Sequence, residues 1–313
     1  MNTPGSAAAI DPLSAHSDRI AAIVEQVGAS TVAVIGRRHA IASGVAWRRG
    51  LVVTAAHVFR RTPAAVTLVG AAGQLPATLV GIDSSTDLAL FRLADEGALE
   101  PAMIGDAAQV KAGHFALAVG RSGEGDTMAS AGLVNRAGGP WQTWLGGPVD
   151  RLIRLDGGVY EGLSGAPVAD AAGAVIGTAT SALSRSYGIV VPASTVSRVV
   201  DALLANGRVA RAWLGIGAQS VPLPDAAGTP GAGERTGLLI TSLASGGPAE
   251  RAGILIGDII VRAADGAAQN LRELRQALAS HVGKSVPLAL LRGGQPLELR
   301  SDVGEWPGER RCC

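Results

Sequence analysis

From Ile20 to Val191 the chain is a succession of short apolar strings, each cut off by glycine, proline, aspartate or serine. STVAVIG, GVAWRRGLVVTAAHV, AAVTLVG, ATLVGID, LALFRL, FALAVG, ASAGLV, AVIGTATSA and GIVVP follow one another at this rhythm. Side chains that alternate faces over brief runs suit a pleated surface, so many short strands with frequent turns require a β-barrel or a β-sandwich. The forty-three glycines, against only five Trp, three Phe and two Tyr, fit a turn-rich core of Ala, Val, Leu and Ile.

The period then changes. Over Pro192 to Gly207 the apolar residues Val196, Val199, Val200, Leu203 and Leu204 recur at helical spacing, with Ser194 as the expected N-cap and Gly207 past the end. This helix closes a first unit at 18–207, preceded by a segment at 1–17 expected to be disordered. A second, mixed unit covers 208–303, and 304–313 form a tail. The second unit holds a short helix in GGPAERAG, with Pro248 in its first turn and Gly253 at a left-handed cap. A longer helix opens with Asn270 and Glu273 in capping-box spacing, and Leu271, Leu274 and Leu278 form its apolar stripe before Gly283.

A chain of 313 residues implies roughly two domains. Although 47% of residues are hydrophobic, the longest uncharged stretch, Thr62 to Ile82, is broken by Pro63, Gly70, Gly73 and Pro76. It reads as two strands and a turn, so no membrane span is expected. With 27 basic and 26 acidic residues, the net charge of +1 leaves no footprint for nucleic acid. The only cysteines are Cys312 and Cys313, which build neither a disulfide framework nor a metal-ligand spacing; no metal and no cofactor is expected. The first twenty residues contain Asp11 and Asp18, have no Lys or Arg before Arg19 and no apolar run longer than AAAI. They do not read as a secretory signal, which makes the cytoplasm the expected location, or the periplasm if an upstream segment is missing.

Three strings carry chemistry: LVVTAAHV with His57, STDLALF with Asp87, and EGLSGAPV with Ser164. Taken singly, His57 reads as readily as a core histidine bonded to backbone, and a G-x-S-G string as an ordinary turn. Asp87, however, lies in apolar alternation, where a carboxylate is costly to bury without a partner. Asp83, four residues earlier, is the rival carboxylate. Serine is a poor nucleophile near neutral pH, so it needs a base to take its proton and the base needs a carboxylate to hold its tautomer. Glycine at 162 and 165 lets the backbone turn closely, so that two N–H groups can face one oxygen.

On TAAHV, TDLAL, GLSGAP, the strand GIVVP before the closing helix, and RAWLGI opening the second unit, the chain resembles the HtrA/Deg family of trypsin-like serine proteases with a C-terminal PDZ domain. The resemblance covers about Asp18 to Val303. It implies a mainly β protein, a chymotrypsin-like double β-barrel followed by a small α/β PDZ domain. It implies that Ser164 attacks a peptide carbonyl, His57 serves as general base and then acid, Asp87 orients His57, and the N–H groups of Gly162 and Ser164 hold the oxyanion. Gly158 matches the base of the P1 pocket, with Ala179, Thr180, Ser181 and Ala182 as its wall, which favours small or medium apolar P1 residues.

The family usually reads G-N-S-G-G-P, whereas this chain has Leu163 and Ala166 in place of the asparagine and the second glycine. Leucine lacks the side-chain hydrogen bonds that would hold the turn, which implies low or gated activity. Nor can it pair with a new N-terminal amine. Glu161 is expected to face solvent.

GLLITSLASGGPAERAGILIGDIIVRAADG resembles the PDZ module of these proteases. PDZ domains bind an extended peptide beside an open sheet edge and receive its C-terminal carboxylate on backbone N–H groups. By that resemblance Trp213, Leu214, Gly215 and Ile216 form the loop, and the helix from Leu271 to Leu278 walls the groove. For Trp213, packing at the joint between the units is an equal reading. Trp141 and Trp144 stand open between a loop that touches substrate and packing onto the second barrel. Trimers are common in the family, so a homo-oligomer is a further expectation.

The leading reading is therefore a serine endopeptidase acting on unfolded or misfolded polypeptides, with a PDZ domain for C-terminal peptides. The alternative is a catalytically weak, peptide-binding or chaperone-like relative. An α/β-hydrolase is disfavoured, because PVADAAGAVIG reads as turn and strand after the serine and only His281 lies downstream. Because His57 must be neutral to act, activity is expected to fall below neutral pH, a free imidazole titrating near about 6.5.

Overall fold

The computed structural model describes residues 11–35, 41–59, 65–184, 186–223 and 236–306. It divides into two compact units, Met1–Val209 and Ala210–Cys313. Cys312 and Cys313 lie outside the described residues.

The first unit opens with helix α1 (Pro12–Gly28). This overturns the expected disorder through residue 17. Pro12 pre-sets the first turn, and Ile20, Ile23, Val24 and Val27 share a face that packs into the core. Strands β1 (Thr31–Ile35), β2 (Ile41–Arg48), β3 (Leu51–Ala55), β4 (Ala65–Gly70), β5 (Gly73–Asp83) and β6 (Leu88–Leu93) close a barrel in the order β1-β2-β3-β6-β5-β4. Strands β7 (Phe115–Arg121), β8 (Thr127–Gly138), β11 (Leu152–Leu155), β12 (Pro167–Ala169), β13 (Val175–Thr180) and β14 (Ile189–Pro192) close a second, in the order β11-β14-β13-β12-β7-β8. Between β8 and β11 a small hairpin of β9 (Trp141–Gln142) and β10 (Pro148–Val149) stands apart.

Alternation explains why the first barrel can be apolar on both faces. Along β6, Ala89, Phe91 and Leu93 fill the barrel interior, while Leu88 and Leu90 face outward. The outward set joins α1, residues of the second barrel and helix α2 (Ala193–Asn206) in one continuous core. Helix α2 starts one residue before the expected Ser194 cap and takes no side-chain cap, but it ends on Gly207 at φ +68 with its N–H on Leu203 O. Trp47 Nε1 donates to Ser197 Oγ at 3.1 Å and ties β2 to α2. The buried guanidinium of Arg121 donates to Thr31 O, Gly28 O and Gly125 O, so β7 is bound to the end of α1 and the start of β1 through carbonyls.

In the second unit β15 (Ala212–Trp213) pairs with the late strand β22 (Gly304–Glu305). A larger sheet runs β16 (Ile216–Pro222), β17 (Thr236–Leu243), β18 (Ile259–Ala263), β20 (Ser285–Arg292) and β21 (Gln295–Asp302), with β19 (Gly266–Ala267) on β18. Short α3 (Pro248–Arg251) and α4 (Leu271–Leu278) complete the unit. The start of α4 is a working cap: Asn270 Oδ1 accepts the Glu273 N–H at 3.0 Å, and Glu273 Oε2 accepts the Gln269 N–H. Leu274 and Leu278 are buried in the core, with Leu271 packed against it. Among the described residues no helix is long and apolar enough to cross a membrane.

Candidate active site

Strand β3 delivers His57 on the single 3-10 turn Ala56–Val58 that follows it, and Asp87 stands immediately before β6, the neighbour of β3 in the barrel. Asp87 is one of two described non-glycine residues with positive φ, at +60°. That conformation costs about 1–2 kcal/mol, though Asp tolerates it better than most residues. Four hydrogen bonds hold it there. Its carbonyl accepts the Ala56 N–H at 3.1 Å, and its carboxylate takes the His57 N–H and His57 Nδ1, each at 2.8 Å, and Thr180 Oγ1 at 2.5 Å. With three donors on a carboxylate only 3% exposed, the burial is offset.

The bond to Asp87 raises the His57 pKa above 6.5; burial opposes it and the Asp87 charge adds to it. Because a carboxylate only accepts, the neutral ring carries its proton on Nδ1 and leaves the lone pair on Nε2. Asp83, the rival carboxylate, is occupied with its own turn, accepting from Ser85 N, Ser85 Oγ and Thr86 Oγ1 at the end of β5.

Ser164 lies on the turn between β11 and β12, flanked by Gly162 at φ +84 and Gly165 at φ +82. A Cβ on Gly165 would come within 2.2 Å of Ser43 O and 2.6 Å of Ala55 N. Only glycine lets this turn sit against β2 and the end of β3, two residues before His57. Ser43 binds it twice more: its N–H donates to Ser164 O at 2.9 Å and its hydroxyl to Gly162 O at 2.7 Å. Leu163 is buried in the core of the second barrel, and Glu161 faces solvent. Among the described residues nothing accepts the N–H of Gly162 or of Ser164. The Ser164 hydroxyl lies 3.0 Å from Ser181 Oγ and makes no bond to His57.

The expected P1 wall divides. Ala179 packs in the core of the second barrel, Thr180 is buried with its hydroxyl on Asp87, Ser181 meets Ser164, and Ala182 is half-buried with its N–H on Thr180 Oγ1. Thr180 is therefore withdrawn from the pocket, because its place at the end of β13 turns it toward the first barrel. Gly158 does line a cavity, but one bounded by Ala118, Gly132, Leu155, Asp156 and Leu163 rather than by 179–182. Sequence reasoning missed Ser43 and the partner of Thr180, since both act across more than ninety residues of chain. It also missed Thr143, whose buried hydroxyl donates to Ser85 O and holds the β9–β10 hairpin to the loop before Asp87. Trp144 is exposed, and Trp141 is half-buried on that hairpin.

In the second unit Leu214 is buried in the core, Gly215 has φ +77, and Ile216 opens β16. Within that unit Trp213 packs edge-on against Trp306, with ring centroids 6.2 Å apart.

The trypsin-like peptidase domain family matches residues 42–177, and the PDZ domain family matches 214–303. The chain belongs to the HtrA/Deg family. It is 32% identical over 269 residues to the "Probable periplasmic serine endoprotease DegP-like" of Rhizobium meliloti (strain 1021), covering 84% of this chain and 52% of that one. It is 33% identical to the like-named protein of Brucella suis biovar 1, covering 83% and 52%. The chain thus spans about half the length of these HtrA/Deg relatives. Among solved structures, the HtrA-type protease AlgW with tripeptide aligns at TM-score 0.74 and 26% identity, over 92% of this chain and 97% of that one. The serine endoprotease from Yersinia pestis aligns at TM-score 0.75 and 23% identity, over 97% and 100%, a likeness of fold. The names of the relatives correct the cytoplasmic expectation: these HtrA/Deg proteins are called periplasmic. That expectation rested on the polarity of residues 1–20, which carries no information about location beyond those residues.

Proposed function

We propose that this HtrA/Deg chain is a serine endopeptidase that cleaves unfolded or misfolded polypeptides, working in a periplasmic setting like that named for its relatives. The observation that carries the reading is the doubly bonded pair His57–Asp87, with the Ser164 turn packed against the end of the same strand β3. In this mechanism Ser164 Oγ attacks the scissile carbonyl as its proton passes to His57 Nε2, and Asp87 holds the Nδ1–H and stabilises the imidazolium that forms. The unspent N–H groups of Gly162 and Ser164 receive the developing oxyanion. His57 then returns the proton to the leaving amine, and water resolves the acyl-enzyme by the same route. Gly158 and Ala182 remain the expected contacts for a non-basic P1 side chain. No cofactor enters any step.

The loop Trp213–Ile216, beside α4, supports binding of C-terminal peptides by strand addition. Incubation with casein tests the whole: wild type yields fragments and Ser164→Ala yields none. Equal fragmentation in both samples removes the catalytic reading. The Ser164–Ser181 contact favours a second reading, a quiescent peptide-binding protein, for which neither sample cleaves while both retain a C-terminal peptide.

A further inference from the structure

The hydroxyl of Ser164 has one partner among the described residues, Ser181 Oγ at 3.0 Å. The backbones beneath both hydroxyls are fixed. Ser181 follows β13 directly, and the Thr180 hydroxyl donates to Asp87 while accepting the Ala182 N–H at 3.0 Å, so a closed turn clamps Ser181 on either side. Ser164 is held through its carbonyl by Ser43, and the next residue, Gly165, donates to Ala179 O at 2.7 Å. The two side chains meet because their strands and turns bring them together, and only their own torsions remain free.

The geometry points to Ser181 as a positioning residue that holds the Ser164 hydroxyl in a resting orientation, in competition with the imidazole of His57. The inference rests on the catalytic reading above. A hydroxyl has one proton and two acceptor sites. If Ser164 donates, the proton that His57 must accept faces another oxygen; if Ser181 donates, a lone pair of the nucleophile is occupied. Where Ser164 donates, the bond to Ser181 is given up before Ser164 can donate to Nε2; where Ser181 donates, the proton stays free for Nε2 and the occupied lone pair lowers the nucleophilicity of Oγ. Losing one neutral, part-buried hydrogen bond corresponds to roughly two- to tenfold in rate. Ser181 thus sets how much of the enzyme is ready to react, while taking no part in the chemistry.

The test is the rate at which a fluorophosphonate labels the full-length chain. In that reaction Ser164 Oγ bonds to phosphorus, fluoride leaves and the hydroxyl proton passes to His57. Ser181→Ala is expected to label at Ser164 roughly two- to tenfold faster than wild type. Ser181→Thr, which keeps the hydroxyl, is expected to label at or below the wild-type rate. Ser181 is exposed, so neither change threatens the fold. A Ser181→Ala rate no higher than wild type overturns the inference and leaves the triad standing. So does a Ser181→Thr rate as high as that of Ser181→Ala, since the hydroxyl is then not the cause. Absence of labelling in every form, or labelling that persists in Ser164→Ala, instead overturns the catalytic reading on which the inference depends.

Discussion

The hydroxyl of Ser43 donates to the carbonyl oxygen of Gly162 at 2.7 Å, joining a strand of the first barrel to the serine turn of the second. The same hydroxyl accepts the Arg121 N–H at 3.1 Å. Leu163 has no polar side-chain atom with which to hold the turn. Beyond the turn's own backbone bonds, Leu163 N–H to Tyr160 O at 3.0 Å and Ala166 N–H to Leu163 O at 3.1 Å, its hold comes from Ser43 and from burial of Leu163 itself. Ser43→Ala would leave the Arg121 N–H and the Gly162 carbonyl short of a partner in a buried site, a cost of about 1–3 kcal/mol. Peptide hydrolysis should slow by roughly tenfold, mostly in kcat, and the Tm should fall by a few degrees. An unchanged kcat in a folded variant would show that the turn holds its shape unaided.

The His57–Asp87 contact predicts opposite responses of activity and stability to pH. Catalysis needs neutral His57, so kcat/KM should fall as pH drops through a value above 6.5. For stability the sign reverses. The folded pKa is raised, so the contribution is complete below the unfolded pKa and is lost as pH rises through the folded one. Asp87→Asn removes the bond that causes the shift, and should lower the acid midpoint and cut kcat by roughly 10⁴-fold. A pH–rate profile of both forms reads this directly; an acid midpoint that does not move would point to another group as the base.

Thr180 is predicted to act through Asp87 and not on the substrate side chain. Thr180→Val keeps the shape and removes the donor to Asp87 Oδ2 and the acceptor of the Ala182 N–H. Hydrogen bonds to charged groups contribute about 1.5–3 kcal/mol, so kcat should fall by roughly ten- to a hundredfold. Preference among P1 residues should stay as it is. A changed ranking of P1 substrates with kcat intact would restore Thr180 to the pocket wall.

In the second unit Asp258 is only 2% exposed and takes Arg292 through both its oxygens, each at 2.8 Å, with the Leu255 N–H at 2.9 Å. The bond to Arg292 chiefly lowers the Asp258 pKa; burial opposes it and the Leu255 N–H reinforces it. A lowered folded pKa gives stability that is present above the unfolded value and is lost as pH falls through the folded one. Asp258→Asn should therefore lower the Tm at neutral pH and weaken its decline in acid. Calorimetry of the full chain at several pH values measures both, and identical acid sensitivity in the two forms would exclude the pair as its source.

How far the fold and site could be read in advance depends on the range of the interaction involved. The glycine that ends α2, the Asn270–Glu273 cap and the turn glycines flanking Ser164 are choices made within a few residues, and composition records them. The start of α1 at Pro12 was equally local, yet the apolar face that secures it is sparse and depends on a core the helix alone does not contain. Asp87 stood out because it is a charge in an apolar string, but its advantage over Asp83 rests on strand order. Pairing of β3 with β6 brings Asp87 beside Ala56 and His57, while Asp83 is spent on Ser85 and Thr86.

The amino-acid order by itself determined the rhythm of strands, the points where the chain turns, and the residue types able to share a proton, because backbone sterics and side-chain alternation act on neighbours. Only the folded barrels decided that Ser43 steadies Gly162, that Thr180 faces Asp87 and that Ser164 meets Ser181. Such contacts join hydroxyls and carbonyls far apart in the chain, they leave no periodic trace, and they exist only once closure of the sheets has set the register.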